Sequence, residues 1–377
     1  MKFQNQVILS IGSNQGNRQE HITSAIFCIH NTIATVVQVS ALYETPAWGF
    51  ESDDFYNCAI IVHTHKTPQV LLEALLAAEQ VAGRTRQAGK GYQARSIDID
   101  VIAFNDAILT TDTLTIPHPR MHERNFVLYP LRDVAPRWEH PVTHKTIDAL
   151  IANSPDGSTC KKVAELIPPL QAYNLKNLNY LAIEGNIGAG KTTLSGTIAE
   201  DFNAKLVLER FADNPFLPKF YNDQSRYAFS LEMAFLADRY HQLSDDLAQF
   251  DLFRDFVVAD YHIFKSLIFA KVTLNEDEYR LYRKLFDIIY KEMPKPDLYV
   301  YLYQNTDRLL HHIKKRGRDY EQNITPEYLE KINKGYLDYI NAQPNLNVLL
   351  LDVSDRDFVR NQEDYIWILN QIQAKLQ

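Results

Sequence analysis

The stretch from Leu181 to Leu194, Leu-Ala-Ile-Glu-Gly-Asn-Ile-Gly-Ala-Gly-Lys-Thr-Thr-Leu, constrains this chain more than any other. A short apolar strand, Tyr180 to Ile183, runs into Gly185-x-x-x-x-Gly190-Lys191-Thr192, the spacing of a phosphate-binding loop between a strand and a helix. Glycines at 185, 188 and 190 let the backbone turn tightly enough to aim successive N–H groups at phosphate oxygens, and the helix starting near Lys191 adds its positive end. Lys191 then reaches the outer phosphates, and Thr192 is placed to ligate Mg²⁺.

The pattern downstream agrees with such a loop. Thr192 to Phe202 reads as a helix, and short apolar strands follow at Lys205–Leu208, Phe256–Asp260, Asp297–Tyr303 and Asn347–Val353 with helical segments between them. Strands alternating with helices predict a parallel sheet, here of five strands counting Tyr180–Ile183. Glu209 ends the strand after the loop, at the crevice where substrates bind in such sheets, and is the candidate general base; an ordinary exposed strand-end glutamate has the same appearance. Asp260 ends the next strand and is a second candidate near Mg²⁺. Tyr227 to Leu247 is a long amphipathic helix carrying Glu232 and Arg239 seven apart, on one face. Arg316-Gly317-Arg318, beside Lys314 and Lys315, is either a solvated basic face or a loop that brings arginines over a transferred phosphoryl group.

At 377 residues the chain is long for one core, so two domains are expected. The net charge of −8 gives no support to nucleic-acid or membrane-surface binding, and no apolar run approaches a membrane span. Three scattered cysteines, Cys28, Cys58 and Cys160, fit neither a disulfide framework nor a zinc site. The expectation is a cytoplasmic protein with reduced thiols.

The first half mixes strands and helices with tight turns. Strands are predicted at Val7–Ile11, Thr35–Tyr43, Tyr56–Thr64 and Ile97–Ile102, and helices at Glu20–Thr32 and Pro68–Ala82, the latter closed by Gly83. This favours a compact α+β sandwich. In Ile97-Asp98-Ile99-Asp100-Val101 the alternation puts both carboxylates on one face and the apolar residues on the other. Two like charges so close call for a cation, and Arg84, Arg86, Lys90 and Arg95 upstream, with His118, Arg120, His122 and Arg124 downstream, supply counter-charge for a polyphosphate. His63 and His65 alternate along a strand and read as surface positions.

Gly12-Ser13-Asn14, Glu44-Thr45-Pro46, Tyr56-Asn57, Glu79, Gly83-Arg84-x-Arg86, Arg95-x-x-Asp98-x-Asp100, Ile116-Pro117-His118 and Arg124-x-Phe126-Val127-Leu128-x-Pro130-Leu131 resemble hydroxymethyldihydropterin pyrophosphokinase over residues 5 to about 155. The resemblance implies a ferredoxin-like α+β fold that moves a diphosphate from ATP to a pterin hydroxymethyl group. By it, Asp98 and Asp100 hold two Mg²⁺ ions. Arg84, Arg95 and Arg124 act on the moving phosphates, while Glu79, Arg86 and His118 bind ATP. Thr45, Pro46, Trp48, Tyr56, Asn57 and Phe126 line the pterin pocket, Asn57 by hydrogen bonding and the aromatics, Tyr56 or Phe55 among them, by stacking. The sequence departs from the family at Tyr92, where Trp is usual, and at Thr113, where a basic residue is.

Between the halves, Pro155 to Lys176 loses periodicity and contains Pro168-Pro169, which predicts a semi-rigid linker; domains are expected at 1–160 and 179–377, with 161–178 joining them. The second half resembles the deoxyribonucleoside kinase family through Ile183 to Thr193, Glu209, Tyr221, Arg239, Arg316-Gly317-Arg318 with Glu321, Tyr328-Leu329-Glu330, and Leu351-Asp352-Val353 with Asp357-Phe358. This implies an α/β P-loop kinase that phosphorylates a nucleoside 5′-hydroxyl from ATP. Gly185, Asn186, Ile187, Gly188, Ala189, Gly190, Lys191, Thr192 and Thr193 hold its phosphates, and Asp357 and Phe358 contact its adenine. One Mg²⁺ sits at Thr192 and Asp260. Glu209 takes the hydroxyl proton, Tyr221 and Glu321 grip the 3′-hydroxyl, Arg316 and Arg318 close over the site, and Glu232 and Arg239 meet the base. The family's usual glutamine is Glu232 here. Its Asp-Arg-Ser is Asp260-Tyr261-His262, which removes the arginine that steadies the catalytic carboxylate and leaves Lys265 as a substitute. The expected acceptor is a purine deoxynucleoside, deoxyadenosine first.

The expectation is therefore a bifunctional kinase, and the resemblance of its second half implies a family that often forms homodimers through helices of that half. Two alternatives stay open: one half is a regulatory or assembly module, or the second half is a nucleoside monophosphate kinase.

Overall fold

A computed structural model describes residues 3–48, 52–82, 96–210, 214–248, 254–291 and 293–377. The chain divides into two compact units, Met1–Tyr173 with Phe358–Trp367, and Asn174–Asp357 with Ile368–Gln377.

The first unit begins with β1 (Asn5–Ser13), α1 (Arg18–Cys28), β2 (Thr35–Val39), β3 (Leu42–Thr45), β4 (Phe55–Thr64), α2 (Pro68–Val81) and β5 (Asp98–Phe104). A short β6 (Leu109–Thr110) and β7 (Thr115–Ile116) pair with each other, and α3 (Asn125–Val134), α4 (Ile147–Ala152) and β8 (Lys161–Ala164) follow. The main sheet runs β5-β1-β4-β3-β8, with β2 also on β4, and every pairing is antiparallel. Its two faces follow from strict alternation. Val7, Leu9 and Ile11, with Cys58, Ile60, Val62, Ile99 and Val101, pack on α1 and α2. Ile8, Ala59, Ile61 and Ile102 pack on α3 and α4.

Two expectations are corrected in this unit. Thr35–Tyr43 is two strands, because the register steps from Val39 opposite Ile60 to Tyr43 opposite Asn57 and so leaves one residue extra at Ser40-Ala41. The Ser40 hydroxyl takes the Ala59 N–H at 2.9 Å, and Asp133 of α3 accepts from Ala41 N–H and the Tyr43 phenol, so the bulge is satisfied by side chains. The stretch expected as linker carries β8, which zips onto β3 through Leu42–Ala164 and Glu44–Lys161. Four residues, Lys-Lys-Val-Ala, are too few for periodicity to reveal them against the prolines that follow.

The second unit is built on β9 (Tyr180–Gly185), α5 (Lys191–Asp201), β10 (Lys205–Val207), α6 (Leu217–Asn222), α7 (Gln224–Ala248), β11 (Val257–Ala259), α8 (Phe264–Thr273) and α9 (Glu276–Tyr290). It continues with β12 (Leu298–Tyr303), α10 (Thr306–Arg316), α11 (Pro326–Asn341), β13 (Val348–Asp352) and α12 (Gln362–Leu376), the last divided between the units. The five-stranded sheet is wholly parallel, in the order β10-β11-β9-β12-β13. Strand β9 is central because its six residues are all buried. Successive strands leave it in opposite directions, so the crevice opens at its C-terminal end, where the glycine loop begins. No helix among the described residues is long and apolar enough to cross a membrane.

Candidate active sites

In the first unit the functional residues form a row across the sheet. Gly12 of β1 lies opposite Asp98 of β5 on one side and Asn57 of β4 on the other, and Asn57 pairs in turn with Tyr43. Two strand spacings separate the Asp98 and Asn57 backbones by about 10 Å. The floor between them has no side chain, and a Cβ on Gly12 would stand 2.8 Å from Asn57 Oδ1. Asn57 is buried, and its amide donates to Thr45 Oγ1 at 2.8 Å. Asp98 and Asp100 share this face, as period two requires, and line a cleft of about 600 Å³ with Glu79, Thr113, His118 and Arg124.

Elements outside the sheet complete the cleft. Glu79 of α2 is buried and accepts the Ile99 N–H at 2.8 Å on the open edge of β5, which fixes the carboxylate-bearing strand. Arg124 is held between two rings, 5.2 Å from Trp48 and 5.5 Å from Phe126. Burial, followed by the Arg124 and Arg120 charges, pushes the His118 imidazole down to about 4. It is therefore neutral at pH 7, with Nδ1 accepting the Arg120 N–H and Nε2 carrying the hydrogen.

Not every expected residue joins them. Tyr56 is on the opposite face, where Arg18 stacks 3.8 Å over its ring, because it alternates with Asn57 along β4. Phe55 is the aromatic on the Asn57 face, 3.8 Å from the same notional Gly12 Cβ. Pro46 is exposed. Arg84, Arg86 and Arg95, like Gly83, Lys90 and Tyr92, lie outside the described residues.

In the second unit, residues from six elements and the glycine loop converge on one cavity. The loop puts Gly188 and Gly190 at positive φ, 85° and 88°, and α5 starts directly at Lys191 with no side-chain cap, leaving its first N–H groups without intrahelical partners. Gly185 has room for nothing larger, since a Cβ would stand 2.7 Å from the Leu302 carbonyl. Asn186 and Ala189 are buried: the Asn186 side-chain amide donates to Leu329 O and Asn333, and the Asn186 backbone carbonyl accepts from the Lys191 ammonium at 2.9 Å. Ile187, Gly188, Lys191 and Thr192 face the cavity. Thr193 sits a residue further along α5, outside the cavity lining.

Opposite the loop is a buried ion cluster. Glu209 Oε1 accepts from Arg239 Nε at 2.9 Å and Nη2 at 2.6 Å, and Oε2 accepts from Lys265 at 2.5 Å. Arg239 Nη1 donates to Ser266, so its guanidinium is engaged on three nitrogens. Burial works against the Glu209 charge, but Lys265 and Arg239 outweigh it and hold the carboxyl well below the usual range. Burial also raises Asp260, against the Thr192 hydroxyl that donates to it at 2.5 Å; its other oxygen accepts the Glu209 N–H at 2.8 Å. Burial and neighbouring Lys265 bring Lys191 down to about 8. Lys265 thus makes the contact with Glu209 that the missing arginine was expected to make.

Other expected residues have different partners. Arg316 and Arg318 both pair with Glu321, whose two oxygens join the ends of the basic turn. Gly317 at φ 72° makes that turn possible. Tyr221 lines the cavity edge-on to Phe220. Glu232 faces the cavity from α7, whereas Arg239 on the same face is spent on Glu209 and Ser266. Asp357 and Phe358 do not line it; Phe358 is buried elsewhere. One residue escaped the sequence reading: Glu184, fully buried, accepts the His262 N–H at 2.7 Å and the Tyr336 hydroxyl at 2.9 Å, bracing β9 against its neighbours. A charge inside an otherwise apolar strand was its signal.

Residues 181–377 match the family model described as deoxynucleoside kinase, and residues 8–136 match that described as 7,8-dihydro-6-hydroxymethylpterin-pyrophosphokinase. Among similar proteins, the deoxyguanosine kinase of Bacillus subtilis (strain 168) is 40% identical over 190 residues, covering 49% of this chain and 92% of that protein. The same organism's deoxyadenosine/deoxycytidine kinase is 29% identical over 210 residues, 54% of this chain and 95% of that one. Its 2-amino-4-hydroxy-6-hydroxymethyldihydropteridine pyrophosphokinase is 37% identical over 142 residues, 37% of this chain and 84% of that one. With a carboxylate pair on an edge strand in one unit, and a glycine loop facing a clamped glutamate in the other, this chain belongs to the pyrophosphokinase family through its first part and to the deoxynucleoside kinase family through its second.

Proposed function

We propose that the chain is a bifunctional transferase. Residues 1–160, with a ferredoxin-like sandwich, move the diphosphate of ATP to the hydroxymethyl group of 6-hydroxymethyl-7,8-dihydropterin and release AMP. Residues 179–377 move one phosphoryl group to the 5′-hydroxyl of a purine deoxynucleoside and release ADP. The observation that carries this reading is that each unit has its own cavity with acidic groups facing phosphate-binding ones: Asp98 and Asp100 facing His118 and Arg124, and Glu209 and Asp260 facing Lys191 and the loop.

In the second site Glu209, kept ionised by Arg239 and Lys265, accepts the hydrogen bond of the 5′-hydroxyl. It takes the proton as the new P–O bond forms, which suits a loose transition state in which that proton leaves late. Arg316 and Arg318 turn from Glu321 towards the transferred group. In the first site Asn57 holds the pterin edge over Gly12, Phe126 and Trp48 cover the ring, and Arg124 lies at the transferred group.

Mg²⁺, when bound, neutralises the phosphates. Asp98 and Asp100 would hold two ions, and Thr192 with Asp260 one. The donor chemistry fits, since Mg²⁺ takes one or two carboxylates and completes its shell with water and substrate phosphates. Accordingly, among the described residues no three His, Cys, Asp or Glu side chains need converge, and none do. A homodimer through kinase-half helices and a cytoplasmic location complete the proposal.

The test is direct: purified protein with ATP, assayed with each acceptor in turn. AMP release with the pterin and ADP release with a deoxynucleoside are expected. ADP release only with a nucleoside monophosphate would make the second half a monophosphate kinase, and silence in one half would make it a regulatory module.

A further inference from the structure

Glu232 is a buried acid in the middle of α7, 2% exposed, whose Oε1 accepts the Thr273 hydroxyl at 2.9 Å. Its Oε2 is also buried, has no hydrogen-bond partner, and belongs to a side chain lining the cavity that holds Glu209. An unpartnered buried carboxylate oxygen is a strong demand for a donor. No neighbour meets it. Arg239, two turns along the same helix, has Nε and Nη2 on Glu209 and Nη1 on Ser266. Lys265 of α8 is on Glu209, Tyr282 of α9 directs its phenol to the Glu232 backbone carbonyl at 3.4 Å, and Tyr328 of α11 and Tyr221 of α6 line the same cavity without a hydrogen bond to Oε2.

Resting on the nucleoside-kinase reading, we propose that Glu232 selects the nucleobase by its own protonation state. As a carboxylate it only accepts, so it fits an edge with two adjacent donors, the N1–H and 2-amino group of guanine. As a carboxylic acid it donates once and accepts once, which fits the N1 acceptor and 6-amino donor of adenine. The second arrangement is the one a glutamine would give permanently. Glutamate replaces a fixed reader with one that has two settings, and both are populated near neutral pH, because burial, against Arg239 and the Thr273 hydroxyl, brings this carboxyl up to about 7.

The consequence is a ratio. For one enzyme acting on two nucleosides, titrations common to both, those of Glu209 or Lys191 included, cancel in the quotient of kcat/KM values. What remains is the ratio of ionised to protonated Glu232, so the preference for deoxyguanosine over deoxyadenosine rises by up to about tenfold per pH unit from pH 6 to 8.5. Deoxyinosine, which keeps N1–H and lacks the 2-amino group, falls between the two. In Glu232→Gln the quotient is flat with pH and, at pH 8, lower by about 10–100-fold.

Calorimetric titration of the full chain with each nucleoside, in buffers of differing ionisation enthalpy at pH 7, tests the same idea without turnover. Deoxyguanosine binding is expected to release protons and deoxyadenosine binding to take them up, and Glu232→Gln is expected to remove both effects. Proton-silent binding of both nucleosides, or a wild-type quotient flat with pH, overturns the proposal and leaves the kinase reading standing. Binding with opposite proton signs but no ADP formation overturns the kinase reading and leaves this one.

Discussion

Replacing Glu209 with glutamine tests in one step whether the ion cluster is both a structural anchor and the proton acceptor. In the folded protein the side chains of Glu209, Arg239 and Lys265 are 11%, 4% and 9% exposed, and both cations are satisfied by the one carboxylate. Glutamine keeps the shape, offers a single acceptor oxygen and removes the charge, so two buried cations face each other across a neutral amide. Breaking a buried ion pair by removing one partner costs about 3–5 kcal/mol. The lower end applies because the remaining oxygen still accepts from one cation. About 3 kcal/mol in a unit of this size lowers the kinase-half Tm by about 6–12 °C. Nucleoside phosphorylation is expected to fall by about 10²–10⁴-fold, the usual contribution of a general base.

Differential scanning calorimetry and separate AMP and ADP assays read these effects, with pterin turnover by the first unit as an internal control. The double variant Glu209→Gln with Lys265→Met removes the surplus cation. It is expected to recover most of the lost Tm and none of the lost rate. A single variant whose Tm stays within 2 °C of the parent would refute the charge argument, and one that still makes ADP at the parental rate would refute the assignment of the base.

Asp98→Ala is expected to abolish AMP formation and leave ADP formation intact; equal loss of both would contradict independent sites. Gly12→Ala places a Cβ 2.8 Å from Asn57 Oδ1 and displaces the amide from Thr45, so the pterin KM should rise with nucleoside turnover unchanged. Because the carboxyl of Glu232 is raised from 4.5 to about 7, the folded protein keeps a proton there that the unfolded chain has released. That contribution is fully present below pH 4.5 and is lost as pH climbs through 7, about 3 kcal/mol in all, so Glu232→Gln should raise the kinase-half Tm at pH 8 and not at pH 4.5. Cys28 is exposed, whereas burial raises the thiols of Cys160, to about 11, and of fully buried Cys58 further still. Alkylation at pH 8 followed by mass spectrometry should mark Cys28 first and Cys58 only after denaturation.

What the sequence made legible was whatever depends on neighbours along the chain. The glycine loop was readable because its function lies in backbone φ values that three glycines advertise. The Asp98–Asp100 face was readable because a strand's period of two needs only three residues to show. Tyr56 and Phe55 were both open as the stacking aromatic, and alternation from Asn57 along β4 selects Phe55 and puts Tyr56 on the other face. The functional pairing of Glu209 with Lys265 spans 56 positions and no local pattern encodes it. It could only be suspected from an arginine missing elsewhere. Arg239 shows the limit most clearly. Its spacing of seven from Glu232 put both on one face of α7, which is correct, and suggested that both meet the base, which a helical wheel cannot decide. Glu209, arriving from another strand, takes the guanidinium and leaves Glu232 without a counter-ion. The same event that clamps Glu209 therefore strands Glu232 on the cavity wall, and the site's electrostatics follow from a competition between two carboxylates for one arginine.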